Sequence, residues 1–84
     1  MLQRVQEQIR VGAVFGPGPC IHPVWFDWRR KKHTVEKVTY RWRHLAGNDL
    51  LLHFAVTDGT ALYELIYNAR EQLWTLEAAD AEVV

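Results

Sequence analysis

Apolar and polar residues alternate along most of the chain between Ile9 and Leu76. A period of two is typical of a β-strand that buries one face. Six segments follow this pattern, separated by turn residues or charged residues. Their predicted inward-facing residues are Ile9, Val11, Ala13 and Phe15; Val24, Phe26 and Trp28; Val38, Tyr40 and Trp42; Leu50, Leu52, Phe54 and Val56; Ala61, Tyr63, Leu65 and Tyr67; and Trp74 and Leu76. The pattern therefore predicts an all-β protein of six strands.

The turns between the predicted strands set their register. Asp58-Gly59 is a favoured pair for a two-residue hairpin turn, which places Val56 opposite Ala61. With that register, each apolar residue of one strand faces an apolar residue of the next, and a slip of one residue would destroy the match. Longer loops before and after this hairpin keep the same face apolar across four strands.

The connections between the predicted strands are short, which favours an antiparallel meander. Val35 and Val38 both suit an inward position although they are three residues apart, so we expect a β-bulge near residues 36–37. Six strands with one apolar face can bury that face by curling into a small, partly open barrel. The sequence therefore predicts a six-stranded antiparallel meander of this shape.

The chain of 84 residues is short enough for one domain. Leu2, Val5 and Ile9 are three and four residues apart, which is compatible with a short helix before the first strand. The predicted segments are an N-terminal arm or short helix over residues 1–8, the β-meander over residues 9–77 and a C-terminal tail over residues 78–84.

Composition narrows the class of protein. The chain is 49% hydrophobic and 24% charged, which is typical of a globular protein and not of a disordered one. Apolar runs are at most three residues long, and the N-terminus lacks the apolar segment of a secretory signal, so we expect neither a membrane span nor export. Cys20 is the single cysteine, which favours a reducing compartment. These features predict a cytoplasmic protein.

The net charge of zero conceals two oppositely charged halves. Residues 1–44 hold nine basic and three acidic residues, whereas residues 45–84 hold one basic and seven acidic residues. Basic and acidic strands could neutralise each other by pairing in one sheet. Alternatively, the basic residues form a surface for an anionic partner. The residues predicted for that surface are Trp25, Arg29, Arg30, Lys31, Lys32, Arg41 and Arg43.

An outward-facing tryptophan among arginines is typical of surfaces that bind single-stranded nucleic acid. The indole ring stacks on a base while the basic side chains contact phosphates. Alternation along the strand points Trp25 away from the core. A pI near 6.9 argues against a dedicated, tight nucleic-acid binder. The leading functional hypothesis is therefore a small module that binds nucleic acid weakly and without sequence specificity.

A second hypothesis is a protein-interaction or homodimer module. In the predicted register Leu51, Ile66 and Leu73 lie in one row on the outer face of the sheet, with Leu62 nearby. Adjacent exposed leucines indicate a cover or a partner. The N-terminal segment could supply that cover, and an ordinary surface is the remaining alternative.

Catalytic and metal-binding motifs are not evident in the sequence. The four histidines, at positions 22, 33, 44 and 53, lack the spacing of metal ligands. The predicted register places Arg41, His53 and Glu64 side by side, which indicates a cross-strand charge ladder more than a proton-transfer cluster. Cys20 lies near His22 without a third group to orient the pair. We therefore predict a non-enzymatic protein without cofactor or metal.

Several core and turn residues carry a family resemblance. They are Pro23-Val24-x-Phe26-x-Trp28-Arg29, Val35, Val38, Arg41-Trp42, Phe54-x-Val56-x-x-x-Gly59-x-x-Tyr63-Glu64-Leu65 and Trp74-x-Leu76. This pattern, over about residues 9–77, resembles an uncharacterised family of small bacterial all-β domains. Its members are standalone or appended to proteins resembling Y-family translesion polymerases, so the resemblance implies a DNA-associated accessory role. The chain departs from the pattern at Arg30, where glycine is usual, and in Lys31-Lys32-His33.

Overall fold

The computed structural model describes residues 2–18 and 20–80, which form eight β-strands. The strands are β1 (Leu2–Gln8), β2 (Val11–Phe15), β3 (Ile21–Trp28), β4 (Lys31–Thr34), β5 (Lys37–Ala46), β6 (Asp49–Thr57), β7 (Leu62–Asn68) and β8 (Leu73–Asp80). Among the described residues there is no helix, and so none with the length and hydrophobicity needed to cross a bilayer.

The strands form two antiparallel sheets. Sheet A has the order β1-β8-β7-β6-β5, and sheet B has the order β2-β3-β4. The prediction of an all-β, antiparallel protein is confirmed. The prediction of six strands in one partly open barrel is wrong, because the structure has eight strands in two sheets.

The chain passes from one sheet to the other at two points, and the observed strands end there. Residues 9–10 connect β1 to β2, where the Ile9 N–H donates to the Trp74 carbonyl at 3.1 Å. Residues 35–36 connect β4 to β5, where the Glu36 N–H donates to the Thr57 carbonyl at 2.8 Å. These backbone hydrogen bonds continue the pairing of sheet A as far as each crossing. The chain therefore changes sheets without an intervening loop.

The ends of the chain also differ from the prediction. Residues 2–8, expected as an arm or a short helix, form β1 and pair with β8. Residues 78–80, expected in the tail, complete β8, and residues 81–84 lie outside the described residues. Pairing with β8 gives the N-terminal segment backbone partners that an isolated short helix would lack.

The core lies between the two sheets. Phe26 of sheet B is fully buried and its ring packs edge-on against Tyr63 of sheet A, with ring centroids 5.0 Å apart. Fully burying one such large apolar side chain contributes roughly 1.5–3 kcal/mol. The buried hydrophobic residues are Phe26, Phe54, Val56, Ala61, Tyr63, Leu65, Tyr67, Leu76, Ala78 and Ala79. Most of them belong to the faces that alternation predicted as inward.

The register of the β6–β7 hairpin differs from the prediction by two residues. Val56 pairs with Tyr63 instead of Ala61, because residues 58–61 form a four-residue loop. One oxygen of the Asp58 carboxylate accepts hydrogen bonds from the N–H groups of Thr60 and Ala61, both at 2.9 Å. This side-chain cap favours the longer loop over a two-residue turn. A shift of two residues keeps the same side chains on the inner face.

A β-bulge in β5 separates residues on their predicted face from residues on the opposite face. The register with β6 shifts between Val38 and Tyr40, so the bulge lies at Thr39 and not near residues 36–37. The Thr39 hydroxyl donates to the Ala55 carbonyl at 3.1 Å. Tyr40, beyond the bulge, is 66% exposed although it was predicted to face inward.

Candidate nucleic-acid interface

Trp25 lies on the outer side of sheet B, as alternation predicts. It pairs with Gly12 of β2 on one side and with Thr34 of β4 on the other. A Cβ atom added to Gly12 would overlap the Trp25 indole ring. The indole therefore lies directly over the glycine backbone, and the sequence provides the space for it by leaving position 12 without a side chain.

Two basic side chains place their charged groups over the Trp25 ring. The Lys32 ammonium lies 4.9 Å from the ring centroid, and the Arg10 guanidinium carbon lies 5.7 Å from it. Arg10 also forms an ion pair with Asp27 at 3.2 Å, which offsets part of its charge. Lys32 is exposed on the adjacent strand. Both cations are within the distance at which an aromatic face attracts a positive charge.

Three further basic residues lie at the β3–β4 turn, about 10 Å along the hairpin from Trp25. Trp28 pairs with Lys31, so Arg29 and Arg30 are the two central residues of a two-residue turn. Their φ values are 54° and 60°. Positive φ at both central positions matches a type I′ turn, which favours glycine and asparagine. Arginine at both positions is therefore not explained by the local backbone.

The Arg29 side chain folds back over Trp28. Its guanidinium carbon lies 4.4 Å from the Trp28 ring centroid. The Trp28 indole N–H is buried without a hydrogen-bond partner. Trp28 packs against Tyr63 of sheet A, so Arg29 and Lys31, which pairs with Trp28, lie on the opposite side of the hairpin from Trp25. We refer to Arg10, Gly12, Trp25 and Lys32 as the Trp25 face, and to Arg29, Arg30 and Lys31 as the basic turn.

A groove of about 440 Å³ borders the Trp25 face. Trp25 and Arg10 line one side of it, and Leu73 and Trp74 of sheet A line the other. The volume falls within the range of small-molecule sites. The groove therefore offers an apolar wall and a cation beside the indole ring.

Arg41 and Arg43 do not belong to the Trp25 face. The two-residue turn at residues 47–48 places both residues on the side of sheet A that faces sheet B, where Arg41 pairs with Phe54 and Arg43 pairs with Leu52. The Arg41 guanidinium donates to the Ile21 carbonyl at 3.1 Å, so it links β5 to the start of β3. Both arginines line a separate cleft of about 460 Å³ at this edge. The structure thus divides the predicted basic set among the Trp25 face, the basic turn and this cleft.

The outer face of sheet A carries the predicted apolar set, but not in one row. Leu51 pairs with Asn68, which pairs with Leu73. Ile66 lies between His53 and Thr75 in the adjacent row, and Leu62 pairs with Thr57 at the far end of the hairpin. Leu62 is 47% exposed and Leu73 is 38% exposed. A polar side chain therefore separates members of the predicted row.

The same outer face holds a histidine cluster, of which the sequence predicted only that His53 and Glu64 are neighbours. His53 Nε2 lies 3.0 Å from His44 Nδ1, and His53 Nδ1 lies 3.6 Å from a Glu64 carboxylate oxygen. The Trp42 ring stacks on the His53 ring with centroids 4.8 Å apart. Arg41, predicted to lie beside His53 and Glu64, is on the opposite face. We refer to Trp42, His44, His53 and Glu64 as the His53 cluster.

A second cluster joins the sheets. His33 of β4 lies 3.4 Å from the Asp58 carboxylate, and the Tyr63 hydroxyl donates to the same oxygen at 3.2 Å. Burial raises the pKa of Asp58, but the N–H groups of Thr60 and Ala61, the Thr60 hydroxyl and His33 outweigh it and hold that pKa well below its usual range. Burial and the nearby Asp58 charge raise the pKa of Tyr63 to about 12. We call His33, Asp58 and Tyr63 the Asp58 joint.

The two halves of the chain meet in sheet A, where β1 and β5 of the basic half pair with β8 and β6 of the acidic half, whereas sheet B is built from the basic half alone. Ion pairs shown for the described residues connect Arg4 to Glu77 and His33 to Asp58 across the halves. The Arg70–Asp49 pair lies within the acidic half. Pairing of basic with acidic strands therefore does not account for the basic residues at the β3–β4 turn.

The residues that sequence analysis missed depend on contacts between distant positions. Arg10 and Gly12 reach Trp25 from β2, and Gly12 opposite an outward tryptophan is the signal that could have shown this. His44 and His53 meet because β5 and β6 are joined by a two-residue turn at residues 47–48, shorter than the loop that the sequence predicted, which pairs Trp42 with His53 and His44 with Leu51. Comparisons of the chain with models of known protein families, with curated proteins and with solved structures find no match.

Proposed function

We propose that the protein is a small binding module that holds single-stranded nucleic acid weakly, and without sequence specificity, on the Trp25 face. The observation that carries the proposal is the Trp25 ring lying over Gly12 with the charged groups of Lys32 and Arg10 over the ring. A half-buried indole next to cations supports stacking on a base together with contact to phosphate.

The β3–β4 turn supports the same proposal from its backbone. Arg29 and Arg30 adopt a left-handed conformation that costs free energy for residues other than glycine. Keeping arginine in such a turn favours a role for the positive charge outside the fold. The basic turn adds positive charge at the end of the hairpin, within reach of a strand longer than one nucleotide.

The resemblance noted from the sequence favours a DNA-associated role for this module. The chemistry of the face is common to DNA and RNA, since stacking and phosphate contact do not require a specific base or sugar. A flexible single strand can place a base flat on the indole, whereas the bases of a duplex are already stacked on each other. Single strands are therefore the expected ligand.

The test is fluorescence anisotropy with labelled single-stranded DNA, single-stranded RNA and duplex DNA at about 50 mM and about 200 mM salt. Wild type should bind the single strands, and its affinity should fall steeply with salt. Trp25→Ala should bind about tenfold more weakly or worse, because base stacking on an aromatic ring contributes roughly 1–3 kcal/mol.

Two lysines provide a matched pair for the charge contribution. Lys32→Gln should lower the affinity and reduce the salt slope by about one unit, since one phosphate contact is lost. Lys37→Gln removes the same charge from an exposed position at the start of β5 and should leave binding unchanged. Arg30→Gly should weaken binding while preserving the turn, because glycine accepts its positive φ.

Two results would contradict the proposal. One is the absence of binding at the lower salt concentration, and the other is equal binding by wild type and Trp25→Ala. Salt-insensitive self-association would instead favour the interaction hypothesis based on Leu51, Leu62, Ile66 and Leu73, since burial of apolar surface depends little on screening.

A further inference from the structure

The two histidines of the His53 cluster direct ring nitrogens at each other from adjacent strands. His53 lies in β6 opposite Trp42, and His44 lies in β5 one row further along. His53 Nε2 and His44 Nδ1 are 3.0 Å apart. In neutral imidazoles one of these two nitrogens carries the shared proton and the other presents a lone pair.

The surroundings hold the His53 ring in place. Trp42 stacks on one face of the ring, and the residue is only 7% exposed. Its Nδ1 atom is buried without a hydrogen bond, although a Glu64 carboxylate oxygen lies 3.6 Å away. A proton on Nδ1 therefore points towards a carboxylate, which leaves Nε2 as the free nitrogen facing His44. A histidine backed by a carboxylate in this way is the usual arrangement of a metal ligand.

We propose that His44 and His53 together bind a divalent transition-metal ion on the outer face of sheet A. Zinc–nitrogen bonds are about 2.0–2.1 Å long. Two ligands at a tetrahedral angle are then about 3.4 Å apart, so the two nitrogens need to separate by only a few tenths of an ångström. The proposed binding of nucleic acid does not use this metal site.

When both rings are neutral, ion binding changes the tautomer of His44 and releases no proton to solvent. The proton shared by the two nitrogens moves to the other nitrogen of the exposed His44 ring, and the Nδ1 proton of His53 stays next to Glu64. Both facing lone pairs then coordinate the ion. Acidification opposes binding, because a protonated imidazole has no lone pair to donate.

The ligand count determines the class of site. Within residues 2–18 and 20–80, no three histidine, cysteine or acidic side chains converge to hold an ion. His44 is exposed, so water molecules would complete the coordination. A site with two imidazoles and open positions binds more weakly than a closed structural zinc site. Divalent ions should bind it in their general order of affinity, with Cu²⁺ above Zn²⁺.

The test is isothermal titration of the full chain with Zn²⁺ near neutral pH, which avoids the oxidation that Cu²⁺ would cause at Cys20. Wild type should bind one ion at this pair, and His44→Gln should lose at least tenfold in affinity for it. Glu64→Gln should keep the stoichiometry and bind roughly tenfold more weakly, since Glu64 only positions His53. Imidazole nitrogen NMR should show His44 Nδ1 and His53 Nε2 as the coordinated atoms.

The matched control concerns a second pair of soft ligands. Cys20 Sγ lies 3.1 Å from His22 Nε2, so this exposed pair could also take up zinc. His22→Gln removes that alternative and should leave the ion at His44 and His53 unchanged. The proposal is overturned if His44→Gln binds Zn²⁺ as wild type does, if His22→Gln abolishes all binding, or if wild type binds none at about millimolar Zn²⁺.

Discussion

The Asp58 joint and the His53 cluster are built from similar groups but differ in what remains available. In the Asp58 joint, the carboxylate accepts hydrogen bonds from backbone N–H groups and from the Tyr63 hydroxyl. His33 is stacked against Phe26, with ring centroids 5.0 Å apart and the planes 9° from parallel. In the His53 cluster, the exposed imidazole of His44 faces the buried imidazole of His53, which has one carboxylate behind it.

The two clusters differ in how many of their polar atoms already have hydrogen-bond partners within the fold. A cluster whose atoms are all paired supports the structure, whereas a cluster with replaceable contacts can bind a ligand. The Asp58 carboxylate is tied to its own loop and to side chains of both sheets, so a ligand could replace none of these contacts without loss of stability. The His44–His53 contact is a single hydrogen bond at an exposed edge. An ion can replace it while the strands stay paired through their backbones.

The largest expected effect comes from removing the Asp58 carboxylate. Asp58→Ala loses the loop cap and the closer of the two hydrogen-bond partners of the Tyr63 hydroxyl, the other being His33 Nδ1 at 3.4 Å. The free energy of unfolding should fall by about 3 kcal/mol. Urea denaturation followed by tryptophan fluorescence measures this change. Asp49→Ala is the matched control, because the Asp49 carboxylate accepts hydrogen bonds from the Asn68 and Arg70 side chains at a solvent-exposed site, so its loss should cost much less. Equal losses in both variants would contradict the structural role of the joint.

The next effect is a pH dependence on the alkaline side. The pKa of Tyr63 is raised from 10.0 to about 12, so the folded state retains a proton that the unfolded state loses. The resulting stabilisation is fully present below pH 10 and is lost as the pH rises towards 12. Urea midpoints across this window should therefore fall more for wild type than for Tyr63→Phe, which cannot ionise. Tyr40→Phe, at an exposed tyrosine, should behave like wild type, and a wild-type slope in Tyr63→Phe would assign the effect to other groups.

The sequence predicted the inner faces of the central strands because their period of two does not depend on the exact register. Phe54, Val56, Leu65 and Leu76 are buried as alternation requires. The register itself was off by two residues, since the hydrogen bonds of a capping carboxylate decide the loop length. Such a cap is a property of side-chain geometry that the Asp-Gly pair alone does not show.

The candidate sites were less predictable than the core. Trp25 and Lys32 were placed together correctly, because they belong to one hairpin. Arg41 and His44 exchange faces because the β5–β6 turn is shorter than predicted, and nothing in the local alternation shows the length of that turn or marks Thr39 as the inserted residue. The short turn at residues 47–48 therefore moved an arginine off the predicted basic surface and brought a histidine to the His53 cluster, and the bulge at Thr39 returns Val38 to the inner face.

The smallest expected effect concerns His44 of the His53 cluster. His44→Gln removes one hydrogen bond at an exposed position and should change the free energy of unfolding by less than about 0.5 kcal/mol, as is usual for surface substitutions. Chemical denaturation without metal and with Zn²⁺ measures both parts of the claim. With His22→Gln present in both proteins to remove the Cys20–His22 pair, zinc should stabilise the protein that keeps His44 and not the one that also carries His44→Gln, because only the former holds both ligands together when folded. A loss above about 1 kcal/mol without metal would show that the His44–His53 contact supports the sheet itself, and the distinction between the two clusters would then fail.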